Sequence, residues 1–326
     1  MLKYILSRIV WGLLSVVGIL VVNFAIIHMV PGDPVEAIVG EYPVPPEYVA
    51  QVRRDFGLDK PIYIQLLTYI ANAASGNLGF SFANRADVLT LILDRSRYTL
   101  MLVLPALVIS AIVGIGLALA GARKAGSAYD SFITAISLFG YSVPVFWFGQ
   151  VLILLFAVQL GVLPAQGMMS LRAPSSGWGM VADVLSHMAL PLLSVTLFYI
   201  AEIARVARAG AVDALAQDYV LTARAKGVRK RQVLLQHVLP NAMIPIVTVV
   251  GYNFGHALTA TLMVETVFGW PGLGTLFIAS VGTRDYPVLI STLLFASIFV
   301  IVSNIITDLL YLALDPRVRE GARRES

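Results

Sequence analysis

Residues 9–30 read IVWGLLSVVGILVVNFAIIHMV (Ile9–Val30), 22 positions without one Asp, Glu, Lys or Arg. A helix rises ~1.5 Å per residue and a bilayer's hydrocarbon is ~30 Å thick, so about 20 mainly apolar residues cross it. The run has that length. It also lacks the alternating polarity of a membrane β-strand. It is too long for a signal-peptide core, and Met29-Val30-Pro31-Gly32 offers no small-x-small cleavage site.

Working outward, the same reading repeats. Tyr98–Ala122 is 25 uncharged residues, and Ser131–Leu171 is 41. The latter is too long for one helix, and Gly161, Leu163-Pro164 and Gly167 set an exit near residue 163. Val184–Ala201, Val238–Val264 and Pro287–Thr307 add runs of 18, 27 and 21. Thr266–Thr283 is also uncharged, but Gly269, Pro271, Gly272 and Gly274 break it, so it reads as a turn plus a short interfacial or re-entrant helix. The expectation is an all-α integral membrane protein with six spans, five and seven being the bounds. The spans are placed at 9–30, 98–122, 131–163, 184–204, 238–264 and 287–307. Pro105, Pro144, Pro191 and Pro245 kink these spans or mark their ends.

Composition agrees. Of 326 residues 58% are hydrophobic and 13% charged, with mean hydropathy +0.82, against roughly 25% charged in a soluble domain. The net charge is only +4, which excludes a nucleic-acid-binding reading. The chain has no cysteine, so it has no disulfide, zinc-thiolate site, iron–sulfur cluster or thiol nucleophile. With the N-terminus inside, segments 1–8, 123–130, 202–237 and 308–326 carry 15 Lys and Arg, against 2 in the short outside segments 172–183 and 265–286. Basic residues favour the cytoplasmic side, so both termini are expected there.

Segment 31–97 is expected outside and folded. Pro45-Pro46 opens a helix with Val49, Val52 and Phe56 at helical spacing, and Gly57 stops it. Pro61 opens a second with Ile62, Leu66 and Ile70. Asp87 caps a third through Leu93. The plain reading is helices packed on the rim; a docking or gating surface is the sharper one.

Segment 205–237 is the most informative. Asp218 is a candidate N-cap for Tyr219–Lys226, and Gly227 stands where a left-handed C-terminal residue is wanted. A basic helix, Arg229–His237, then runs into Leu239-Pro240. A merely solvated basic loop explains the charges. It does not explain the apolar Tyr219, Val220 and Leu221, which suit a partner's groove.

Other signals are weaker. His28, His187, His237 and His256 do not pair at metal-ligand spacing, so no metal site is expected. Gly121–Gly126 resembles the start of a phosphate loop, but Ser127-Ala128 replaces the required Lys-Ser/Thr, so no nucleotide site is found. No catalytic constellation appears. Gly251 and Gly255 form a GxxxG that lets another helix approach closely. Asn253, His256, Thr259 and Thr261 either line a water-filled path or hydrogen-bond between helices.

Taken in order, these residues resemble a known family, the membrane subunits of ATP-binding-cassette importers in the dipeptide/oligopeptide/nickel permease group. Thr222-Ala223-Arg224-Ala225-Lys226-Gly227, followed by Leu239-Pro240, is similar to the family's Glu-Ala-Ala loop, with Leu221 and Thr222 replacing the Glu and first Ala. Pro31-Gly32-Asp33-Pro34, Phe56–Pro61, Val143–Trp147, Val264–Phe268, Trp270–Gly274, Arg284–Pro287 and Leu314–Arg319 follow the pattern along the chain. The long outer segment is similar to the first of two paired permeases.

The resemblance implies a type I importer permease fold in the bacterial inner membrane. It implies a homologous second permease subunit, two cytoplasmic ATP-binding subunits that hold ATP and Mg, and a periplasmic or lipid-anchored binding protein. Asp218, Tyr219, Thr222, Ala223, Arg224, Ala225, Lys226 and Gly227 would couple to the ATPases, and this chain would hold no cofactor. Peptides are the first substrate reading, with nickel chelates, glutathione, opines and sugars open. A secondary transporter or channel and a purely structural protein are the rival classes.

Overall fold

The computed structural model describes residues 2–29, 45–56, 58–171 and 176–314. The Pro31–Pro34 motif, Gly57 and the tail from Asp315 lie outside these residues. Five helices are long and apolar enough to cross a membrane, or up to seven if each of two bent pairs is one span. The long helices are α1 (Leu2–Met29), α4 (Val88–Ala122), α7 (Gly177–Leu215), α9 (Lys230–Ala260) and α12 (Tyr286–Leu314). Between α1 and α4 lie α2 (Pro46–Phe56), α3 (Ile62–Ala74) and a two-stranded hairpin, β1 (Phe80–Ser81) and β2 (Ala86–Asp87).

Several expectations need correction. Asp87 does cap a helix, accepting from the Thr90 N–H at 3.0 Å, but that helix does not stop near Leu93. It runs on as α4, because Arg97 pairs with Asp94 and Arg95 donates to the Pro271 carbonyl, so the charged turns are accommodated. The segment placed at 131–163 is not one straight span. It is α5 (Ala128–Ser142) and α6 (Val145–Gln159), bent by 97°. Pro144 is the cause: it donates no N–H and forces Val143 out of helical geometry, to ψ 128°. The basic helix read at Arg229–His237 is the first part of α9. A π-turn over Val233–Val238 absorbs Pro240, so the helix continues. Past Thr261, α10 (Leu262–Phe268) and α11 (Leu273–Thr283) form the second bent pair, at 84°, a shape that fits either a broken span or a re-entrant loop.

α7 is the hub. At 39 residues it is about 58 Å long, and α4 packs along it more than any other pair of elements. Its Leu190, Tyr199 and Ile203 join Val103 and Leu107 of α4, Leu152 of α6, Val249 of α9 and Phe268 of α10 in one buried cluster. Small residues allow this closeness. A Cβ on Gly114 would lie 3.1 Å from Ile203, one on Gly140 3.2 Å from Ala201, and one on Gly210 3.0 Å from Pro245. Gly251 and Gly255 do the same for α9 against α12, where Ser303 donates to the Gly251 carbonyl at 2.9 Å. The GxxxG therefore packs helices, as read from the sequence.

One buried ion pair fastens the end of the bundle that carries residues 216–229. Asp130 at the start of α5 accepts from Arg208 of α7 through Nε at 2.5 Å and Nη2 at 2.6 Å. Its second oxygen also accepts from the Gly126 N–H, at 2.9 Å. Gly121 of α4 packs against the same carboxylate. Three helix ends and the turn between two of them thus converge on one side chain.

Two predictions follow from this packing. Gly251→Ala places a methyl group into the Thr307 side chain and is expected to destabilise the protein by about 1–3 kcal/mol, with Thr307→Ala in the same chain recovering part of the loss. Thermal unfolding in detergent measures it, and an unchanged midpoint would mean that α9 and α12 do not touch there. Asp130→Asn strands the Arg208 charge. Removing one partner of a buried pair costs ~3–5 kcal/mol, and the lower end applies because Arg208 keeps 29% of its side chain exposed. In a double-mutant cycle the Ala substitutions at 130 and 208 should cost clearly less together than the sum of each alone; additive losses would dismiss the pair.

Candidate functional site

The segment after α7 folds as a short helix, α8 (Asp218–Ala225), turned back on the bundle. Asp218 is not the N-cap that its position suggests. Gln217 takes that place with extended backbone, and Asp218 is the first helical residue, where its charge complements the helix N-terminus. At the other end the expectation holds. Gly227 has φ +78°, its N–H bonds to the Arg224 carbonyl, and the Val228 N–H bonds to the Ala223 carbonyl. These two bonds form a Schellman corner, which ends a helix and reverses the chain.

α8 is two-sided. Val220 is fully buried and Ala223 nearly so, in one cluster with Ala118 and Ala122 of α4, Ala207, Ala211 and Ala214 of α7, and Val233 and Val238 of α9. Val220 therefore does not belong to the exposed apolar tip expected with its neighbours. Three consecutive residues of a helix point in three directions, and the middle one meets the bundle. Tyr219 and Leu221 remain outside, 39% and 57% exposed. Thr222, Arg224, Ala225, Lys226 and Gly227 are exposed beside them. The result is a rigid knob with an apolar and basic outer face. The Asp130–Arg208 pair lies toward the same end of the bundle, Arg208 falling between Ala207 and Ala211 in the sequence of α7. Sequence reading missed this pair because its members stand 78 positions apart.

The opposite end of the bundle holds a second buried carboxylate. Glu265 of α10 is fully buried and accepts from Thr99 Oγ1 at 2.7 Å and from the Gly274 N–H at 2.6 Å. Thr99 Oγ1 also accepts from the Leu273 N–H at 2.9 Å. Trp270, likewise fully buried, donates from Nε1 to the Tyr98 carbonyl. Gly272 and Gly274 are needed here because a Cβ on either would strike the Glu265 carboxylate. The turn between α10 and α11 is thereby lashed to α4. The only sequence signal was the run Val264–Gly274 itself. Nearby, Asp285 accepts from Ser81 at 2.5 Å, tying the hairpin to the start of α12.

Of the four polar residues read as lining a path or bridging helices, Asn253, His256 and Thr259, the path candidates, do not share one environment. Asn253 is buried, with Nδ2 lacking a hydrogen-bond partner. At 100° per residue it lies nearly opposite Gly251 and Gly255 on α9 and turns toward the bundle, so it lines no open surface here. His256 is half-buried and Thr259 exposed. The hydrogen bonds of His256, Thr259 and Thr261 to backbone carbonyls all stay within α9, so none of those three bridges helices through such a bond. Among the described residues, no group of three or more His, Asp or Glu side chains is placed to hold a metal ion.

Comparison with known proteins bears directly on this arrangement. The family model for the binding-protein-dependent transport system inner membrane component matches residues 110–320, and the model for the N-terminal part of such membrane components matches 1–103. The di/tripeptide transport system permease protein DppB of Pseudomonas aeruginosa is 38% identical over 98% of this chain and 99% of its own length. The dipeptide permease DppB of Escherichia coli K12 is 37% identical over the same shares, and the glutathione transport system permease GsiC of that strain is 39% identical, again over 98% and 99%. The crystal structure of an amino acid ABC transporter with histidines has a TM-score of 0.51 at 18% identity, covering 69% of this chain and 94% of that one, a likeness of fold alone. The chain thus belongs to the binding-protein-dependent transport inner-membrane family, as a multi-pass permease subunit of an ABC importer with the type I permease fold.

Proposed function

We propose that this permease forms half of a path for short peptides. They are handed over by a periplasmic or lipid-anchored binding protein and driven inward by two cytoplasmic ATP-binding subunits that hold ATP and Mg. A homologous second permease supplies the other half. The substrate reading rests on the relatives. Two of them are named for di- or tripeptides, and the third for glutathione, which is itself a tripeptide. The bias of Lys and Arg supports a cytoplasmic side for both termini and the knob.

The observation that carries the reading is the two-sided knob. Its inner face shares one buried cluster with residues of three long helices and packs chiefly on the Val233–Val238 turn, and its outer face offers Tyr219, Leu221, Arg224 and Lys226. Closure of the ATPases around ATP would push α8, and α8 would move the ends of α4, α7 and α9 as one body. The two permeases then rock about the midplane. ATP shifts the inward–outward balance only by as much as it favours one state over the other.

The reading is tested by reconstituting this subunit with its partner permease, ATPases and binding protein in liposomes. Di- and tripeptides should stimulate ATP hydrolysis and accumulate inside; a lone subunit with full activity would overturn it. Gly227→Val places a β-branched residue in a left-handed corner, at a cost of about 1–2 kcal/mol, in open space where nothing clashes. The variant should still insert, but it should retain less ATPase on co-purification and lose peptide-stimulated hydrolysis. Normal coupling in that variant would remove the corner from the mechanism.

A further inference from the structure

The uncharged run Val184–Ala201 on α7 ends at Glu202. This residue lies six positions, about 9 Å, further into the bundle than Arg208. It is half-buried, and no hydrogen bond or ion pair reaches its carboxylate among the described residues. The nearest cation in sequence does not serve it: Arg205 lies over the Tyr141 ring, 4.5 Å from its centroid. An ionisable side chain on a membrane helix is costly against acyl chains, and faces a partner charge or water instead.

The register of α7 on α9 shows what Glu202 meets. The helices run antiparallel, with Gly210 against Pro245 and Ala242. An open groove of about 330 Å³ follows, lined by Val206, Pro245, Thr248, Val249 and Tyr252. Glu202 is one turn beyond Val206 on the same face of α7, and Tyr252 is one turn beyond Thr248 in the same direction. The two residues therefore stand at one level. Tyr252 is exposed, its ring stacked on His256 at 4.1 Å between centroids. Thr248 Oγ1 accepts from Tyr311 and keeps a second lone pair. Three residues further along α7, Tyr199 Oη is buried in the core without a hydrogen-bond partner.

Glu202 stands one helical turn beyond the groove's lining; a carboxylate there, the face of the Tyr252 ring turned from His256 and the Thr248 hydroxyl are groups that hold an alkylammonium. We propose that the α7–α9 groove is a binding station for a primary ammonium, with Glu202 as its counter-charge, Tyr252 as its aromatic wall and Thr248 as an acceptor. In a peptide importer the ligand would be the free N-terminus of the peptide; that identity rests on the reading above, while the preference for a cation does not.

The absence of native cysteine permits a direct test. Val206→Cys is placed in the assembled importer, and labelling of this subunit is followed by mass spectrometry. Two methanethiosulfonates are compared, one carrying a trimethylammonium group and one a sulfonate. The cationic reagent should react about tenfold faster, as for a charge-focusing cleft, and Glu202→Gln should remove most of that preference. Ethylammonium and glycylglycine should slow the reaction, and N-acetyl-glycylglycine should not. No labelling in any nucleotide state, or a preference that survives Glu202→Gln, would overturn the station. Protection by ethylammonium without protection by glycylglycine would uphold the station and overturn the peptide reading.

Discussion

Inside a bilayer the surroundings are as apolar as the side chains, so burying Leu or Val against a neighbour gains little. What holds membrane helices together is close approach and the hydrogen bonds that closeness allows. This constraint explains the central place of α7. Ala201, Ala204, Ala207, Ala211 and Ala214 are buried along it, and Gly114 and Gly140 of the flanking helices come within about a methyl group of it. Ser110 of α4 can then donate to the Thr196 carbonyl of α7 at 2.9 Å. α9 and α12 repeat the arrangement with Gly251, Gly255 and Ser303.

Given that packing, two carboxylates fix the ends. Asp130 gathers α4, α5 and α7 toward the knob's end of the bundle, and Glu265 gathers α4, α10 and α11 at the far side. Both accept from several donors, as a buried polar group requires. α4 is common to both clusters. A displacement at the knob therefore has a continuous helix, 35 residues long, along which to reach the opposite rim.

Much of this was legible beforehand, for a physical reason. A run of 20 or more uncharged residues has few ways to exist except across a membrane, and the Gly227 corner follows from a backbone angle that glycine tolerates best. The bend at Pro144 was legible only as punctuation, because a proline states that a helix is perturbed without stating the angle. The inward turn of Val220 was not legible at all. An eight-residue helix with three consecutive apolar positions has no single apolar stripe, and the bundle decides which face is inner. The pairings of Asp130 with Arg208 and of Thr99 with Glu265 join residues 78 and 166 positions apart, beyond any local pattern.

The two faces of α8 also separate two kinds of requirement. Val220 and Ala223 answer to the permease's own alanines, so their size is set from within the chain. Tyr219, Leu221, Arg224 and Lys226 are exposed and, in the proposed role, answer only to the docking partner. Drift in the outer four leaves the attachment untouched, and drift in the inner two leaves the docking chemistry untouched. Under the proposed coupling role, such a fitting could be re-matched to a different motor subunit by a few surface substitutions, with the membrane half of the machine kept as it is.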